Sequence, residues 1–79
     1  MQRDIYQEVR ALIRELETVG FSVWAQKLQE AMESGSTSGE ILMAVRSVLR
    51  ELRKANVHLV DHLEKAVDLL IRDIDRTGV

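Results

Sequence analysis

The chain has 79 residues, with 46% apolar and 30% charged side chains, a net charge of -2 and no cysteine. That length predicts one domain spanning 1–79, close to the lower limit at which a chain buries a sufficient core alone, so a partner or a second copy is relevant to its stability. The composition is that of a globular chain and excludes a disulfide framework or a thiolate site, and the acidic balance lacks the broad basic footprint of a nucleic-acid binder.

Helix punctuation runs along the sequence in order. Ile5, Val9, Leu12, Leu16 and Val19 recur at steps of 4, 3, 4 and 3, which places them on one face of a first helix. Gly20 follows where a left-handed C-terminal cap is wanted. Ser22 is the expected cap of a second helix whose Phe21, Trp24, Leu28, Ala31 and Met32 share a face, and Gly35 ends it. Thr37-Ser38-Gly39-Glu40 reads as a capping box, opening a third helix with Ile41, Leu42, Val45, Val48, Leu49 and Leu52 inward. A fourth stripe, Val60, Leu63, Val67, Leu70 and Ile74, precedes Gly78. No strand pattern appears. The fold class is all-α, a small bundle of four helices with a turn expected at Ala55-Asn56-Val57. The alternative is three helices with one long C-terminal helix, since glycine and proline are absent from Glu40 to Thr77.

Several chemistries are weighed and set aside. The run from Ser34 to Gly39 lacks the Gly-Lys-Ser/Thr ending of a phosphate loop, and Glu40 would repel phosphate. His58 and His62 have the spacing for a shared metal ion, but HLVDH lacks the glutamate of a zinc protease and no third histidine exists. No metal site and no cofactor are expected. Serines and threonines fall at helix caps and no acid sits on an apolar stripe, so the chain is not expected to be an enzyme. Trp24 reads as core, and Tyr6 as an interface anchor at the edge of the first stripe. The start MQRDIYQEVR has no apolar leader segment, and no apolar run approaches the roughly 20 residues of a membrane span. A soluble, cytoplasmic protein with no membrane partner is expected.

Two charged surfaces remain. Arg46, Arg50 and Arg53 line one side of the third helix with Lys54 close behind; residues 36–56 hold four cations and two acids, a local +2. They offer a narrow phosphate-binding stripe, or partners for the fourth helix. On that helix Asp61, Glu64, Asp68 and Asp75 recur on one face, with Lys65 and Arg72 nearby for Asp61–Lys65, Asp68–Arg72 and Arg72–Asp75 pairs. Stacked like charges repel, and a cationic partner relieves them. Asp4, Glu8 and Glu15 make a similar flank on the first helix. The four acids of the fourth helix are the expected partner-binding residues.

Over GFSVWAQKLQEAMESGSTSGEIL, residues 20–42, the chain resembles the small all-helical immunity proteins encoded beside bacterial contact-dependent and polymorphic toxins. The shared pattern concerns packing, so it assigns no binding residue. The resemblance implies a class of function: binding and neutralising a toxin domain, often a nuclease. An acidic helix suits that role because nuclease clefts are basic. The rival expectation is a small dimeric nucleic-acid-binding or regulatory protein using Arg46, Arg50 and Arg53. A homo-oligomer is compatible with either.

Overall fold

The computed structural model describes residues 4–55 and 58–76, and the elements follow the apolar stripes. Four helices form: α1 (Ile5–Thr18), α2 (Ser22–Ser34), α3 (Ser38–Lys54) and α4 (Asp61–Arg76). No strand occurs among the described residues. The third and fourth stripes lie on separate helices, which settles the architecture as a four-helix bundle over a single long C-terminal helix. The expected roles of Asn56 and Gly78 fall outside the described residues.

Local chemistry sets each boundary. The Asp4 carboxylate caps α1, its Oδ1 accepting from Tyr6 N–H at 3.0 Å and Gln7 N–H at 3.3 Å. Asp4 is thus a cap rather than a member of a free acidic flank. At the other end Gly20, one residue past the Val19 C-cap, adopts φ +93°, the left-handed conformation wanted there. Phe21 N–H reaches Leu16 O at 2.8 Å and Gly20 N–H reaches Glu17 O at 3.3 Å, the two bonds of a Schellman ending. This ending carries the chain straight into α2. Phe21, not Ser22, occupies the N-cap, with no side-chain cap bond; its carbonyl accepts Ala25 N–H at 3.0 Å. At α3 the Thr37 hydroxyl accepts Glu40 N–H at 3.2 Å as the capping box predicts. The Glu40 carboxylate reaches one residue further back than the motif, accepting from Ser36 N–H at 3.2 Å and from the Ser36 hydroxyl at 3.3 Å.

Packing follows chain order around a ring: α2 lies against α1 and α3, and α4 against α3 and α1, while the diagonal pairs do not approach. The most extensive backbone contacts are those of α2 with its two neighbours. Its buried face is Ala25, Leu28 and Ala31, and two alanines let neighbouring helices come near. The core is completed by Val9, Leu12, Ile13 and Leu16 of α1, Leu42, Val45, Leu49 and Leu52 of α3, and Leu63, Val67, Leu70 and Ile74 of α4. Every buried residue is apolar among the described residues. Ile5, Tyr6, Phe21, Trp24, Met32, Ile41 and Val48 pack half-buried at its margin. Tyr6 is therefore a shoulder of the core and Trp24 only partly core, with Lys27 Nζ 4.6 Å from its ring centroid.

Two expected core residues lie outside. Val19 is the C-cap of α1 and Val60 precedes α4, at 46% and 51% exposure. Each falls where the helix has stopped, so the periodic stripe no longer describes where its side chain goes. No described helix is long and apolar enough to cross a membrane.

Candidate protein-docking edge between α3 and α4

Arg46, Arg50 and Arg53 step by four and three along α3, beside the row that Leu42, Val45, Leu49 and Leu52 bury. They therefore project along the seam with α4. There they meet the acidic row. Arg46 Nη1 lies 2.7 Å from Asp75 Oδ1 and Arg50 Nη2 3.6 Å from Asp75 Oδ2. Arg53 spans two acids, with Nη1 3.4 Å from Glu64 Oε1 and Nε 3.1 Å from Asp68 Oδ1. As α3 is followed from Arg46 to Arg53, the partners on α4 run back from Asp75 to Asp68 and Glu64. The two helices are therefore antiparallel.

That direction brings further electrostatic support. The last turn of α3 carries Arg53 and Lys54 and the first turn of α4 carries Asp61 and Glu64. Cations at a helix C-terminus and anions at an N-terminus each oppose the local end of the helix dipole. In an antiparallel pair those two ends adjoin, and Arg53 and Glu64 there also pair with one another.

The acids therefore pair across the seam rather than along their own helix. The Asp68–Arg72 and Arg72–Asp75 pairs give way to the α3 guanidinium groups, and Asp61–Lys65 is not formed. A planar guanidinium offers several donors in fixed directions and bridges two carboxylates at once, as Arg53 does. Lys65, Arg72 and Asp61 make no ion pair with another described residue. A phosphate approaching Arg46, Arg50 and Arg53 meets guanidinium groups already engaged by Glu64, Asp68 and Asp75.

The edge remains open to water. Side-chain exposure is 27% for Arg46 and 39% for Asp75, rising to 47% and 53% for Glu64 and Asp68. Exposed pairs of this kind contribute about 0–1 kcal/mol each. Near Asp75 one acid meets two arginines, while near the start of α4 Arg53 is the described cation paired with both Glu64 and Asp68, with Lys54 and Lys65 in the adjoining turns. The row thus divides into an end where two arginines tie one acid, Asp75, and an end where one arginine, Arg53, is shared by two acids.

The histidines flank this edge. His62 Nε2 lies 3.7 Å from Glu15 Oε1 of α1, and His58 is exposed ahead of α4. No group of three or more metal-ligating side chains is placed to hold an ion among the described residues. The cross-seam pairing was half legible, since the arginine row announced itself as a partner for α4. Which acid meets which arginine depends on helix direction, which spacing does not carry. No protein-family model, curated protein or solved structure matches this chain.

Proposed function

We propose that the chain is a protein-binding inhibitor of the immunity or antitoxin kind, which neutralises a basic toxin domain, with nucleases the leading class. The contact surface is the first two turns of α4. One observation supports this reading above the others: Asp61, Glu64 and Asp68 lie together at the exposed start of α4, where Glu64 and Asp68 share the single guanidinium of Arg53 and Asp61 pairs with no other described residue. A cationic cleft that closes over this end gains complementary charge, and the Arg53 pairs it displaces are weak in water. Asp75, between Arg46 and Arg50, anchors the far end of the edge. The resemblance of residues 20–42 to immunity proteins supports the same class.

The test is first whether a toxin gene adjoins the gene of this chain, the absence of one overturning the proposal, and then rescue of growth in a bacterial host that expresses that toxin domain. The native chain is expected to restore growth, and the Glu64→Lys/Asp68→Lys variant to fail with unchanged helical circular dichroism. In calorimetry the same variant is expected to bind the toxin domain at least about tenfold more weakly. A native chain that gives no rescue, or a double variant that binds as tightly as the native chain, overturns the proposal.

A further inference from the structure

The connections at the two ends of the bundle differ in kind. Glu15 near the end of α1 meets His62 near the start of α4, so these helices are antiparallel, as α3 and α4 are. The tight turn at Val19-Gly20-Phe21 reverses the chain into α2. The end of α1, the start of α2, the end of α3 and the start of α4 therefore share one end of the bundle. One step outward from the Glu15–His62 contact lie Val19 on α1 and Val60 ahead of α4, both about half exposed, and Val23 at the start of α2 is 65% exposed. Phe21 and Leu59, in the same connections, pack half-buried on the core. Met43 and Leu69 are the other exposed large apolar side chains among the described residues, and they lie in the second turn of α3 and the middle of α4. The connection at the opposite end is Gly35-Ser36-Thr37. Helix connections are ordinarily polar because they face water, and an exposed apolar group with a charged rim marks a surface that another molecule covers.

We infer that Val19 and Val60 form the apolar centre of the docking surface, which receives an apolar side chain projecting beside a cationic cleft on a protein partner. The inference rests on the inhibitor reading and extends its contact from the first two turns of α4 onto the adjoining end of the bundle. Charge selects this occupant. The four helix turns at that end hold five acids, among them Glu17 and Asp61, against two cations, Arg53 and Lys54. Asp61 follows Val60 directly in the chain, so the apolar centre passes into the acidic turns without a break. A second copy docked end to end brings acids against acids, and the phosphates of a nucleic acid or an anionic lipid surface are repelled in the same way. A basic protein surface gains from the rim and loses nothing at the centre. The division of labour is that of protein interfaces generally, where a desolvated apolar centre supplies most of the affinity and the charged rim steers association.

Calorimetry of the full chain with the toxin domain encoded beside it, at low and high salt and at several temperatures, tests the inference. Val19→Ser/Val60→Ser is expected to weaken binding at least about tenfold at both salt concentrations, with unchanged helical circular dichroism. It is also expected to make the heat-capacity change of binding less negative, the signature of lost apolar burial. Glu64→Lys/Asp68→Lys is expected to weaken binding chiefly at low salt and to leave the heat-capacity change as it is. Met43→Ala, an exposed apolar position away from this end, is expected to bind as the native chain does. A valine variant that binds as tightly as the native chain, or with the same heat-capacity change, while Glu64→Lys/Asp68→Lys is weakened, overturns this inference and leaves the inhibitor reading standing. A native chain that binds no toxin domain, or that has no toxin gene beside it, overturns both.

Discussion

Leu49→Ala is expected to remove about 2–5 kcal/mol of stability. Leu49 is wholly buried on α3, among residues from the helices on either side of it. Truncation loses the transfer free energy of its side chain and leaves a cavity that rigid neighbours fill only in part. The chain has 79 residues, and at the usual stability per residue its whole margin is about 4–12 kcal/mol. A loss of about 3 kcal/mol lowers the melting temperature by roughly 10–25 °C in a domain of this size. Met43 provides the control on the same helix. It is 49% exposed, and Met43→Ala is expected to change stability by less than about 0.5 kcal/mol. Urea denaturation of both variants checks the pair; a loss below about 1 kcal/mol for Leu49→Ala would contradict the core assignment of α3.

Gly35→Ala is the second large effect, and its cause is space rather than torsion. Gly35 has φ -99° and ψ 152°, an extended backbone that any residue adopts. A Cβ built there would lie 2.8 Å from Ile41 N, 2.9 Å from Ile41 Cγ1 and 3.0 Å from Glu40 Cβ. The nearest of these is backbone, and Ile41 N–H is tied to Thr37 O at 3.0 Å within the capped first turn of α3. That turn has to shift as a unit. Overpacking of this kind costs about 1–3 kcal/mol, against the roughly 0.4–1 kcal/mol that an alanine contributes by restricting the unfolded chain. The clash wins, and thermal denaturation is expected to show a fall of several degrees. An unchanged or raised melting temperature would mean that α2 and α3 do not approach this closely. Because the obstacle is a backbone nitrogen, trimming Ile41 is not expected to restore stability.

The helices were legible in the sequence because each carries an apolar stripe, and glycines mark the ends of α1 and α2, whereas the boundary between α3 and α4 has no such breaker. What escaped was the width of the buried faces. Ile13 and Ala25 are buried although neither belongs to the stripe read for its helix. Each helix of a ring-packed bundle faces two neighbours, so its apolar sector is wider than one row at steps of three and four. Caps were partly legible: Thr37 performs as its motif predicts, whereas Asp4 was read as surface charge and Ser22 as a cap one residue beyond the true one. The Schellman ending at Gly20 determines that last difference, since it delivers Phe21 to the N-cap position. Leu69 gave no sequence signal as a surface feature, because an isolated leucine outside a stripe is common on any helix.

Charge shows the sharper limit of sequence reading. Pairs four residues apart on one helix are visible in sequence, yet Asp68 and Asp75 choose arginines on another helix. Their partners follow from antiparallel packing, a tertiary property. This changes the meaning of the acidic row on α4. Its Asp75 end is tied to two arginines of α3, and the acids that share a single arginine lie in the first two turns.

The cross-seam assignment of the acids is the central structural claim, and a double-mutant cycle on Arg53 and Asp68 tests it most directly. Arg53→Ala, Asp68→Ala and the double variant are compared with the native chain by urea denaturation at low and high salt. The expected coupling is about 0.3–1 kcal/mol at low salt, shrinking as salt screens the pair. A coupling of zero at low salt, with Asp68→Ala instead coupled to Arg72→Ala, would return the acidic row to pairing along its own helix and contradict the account.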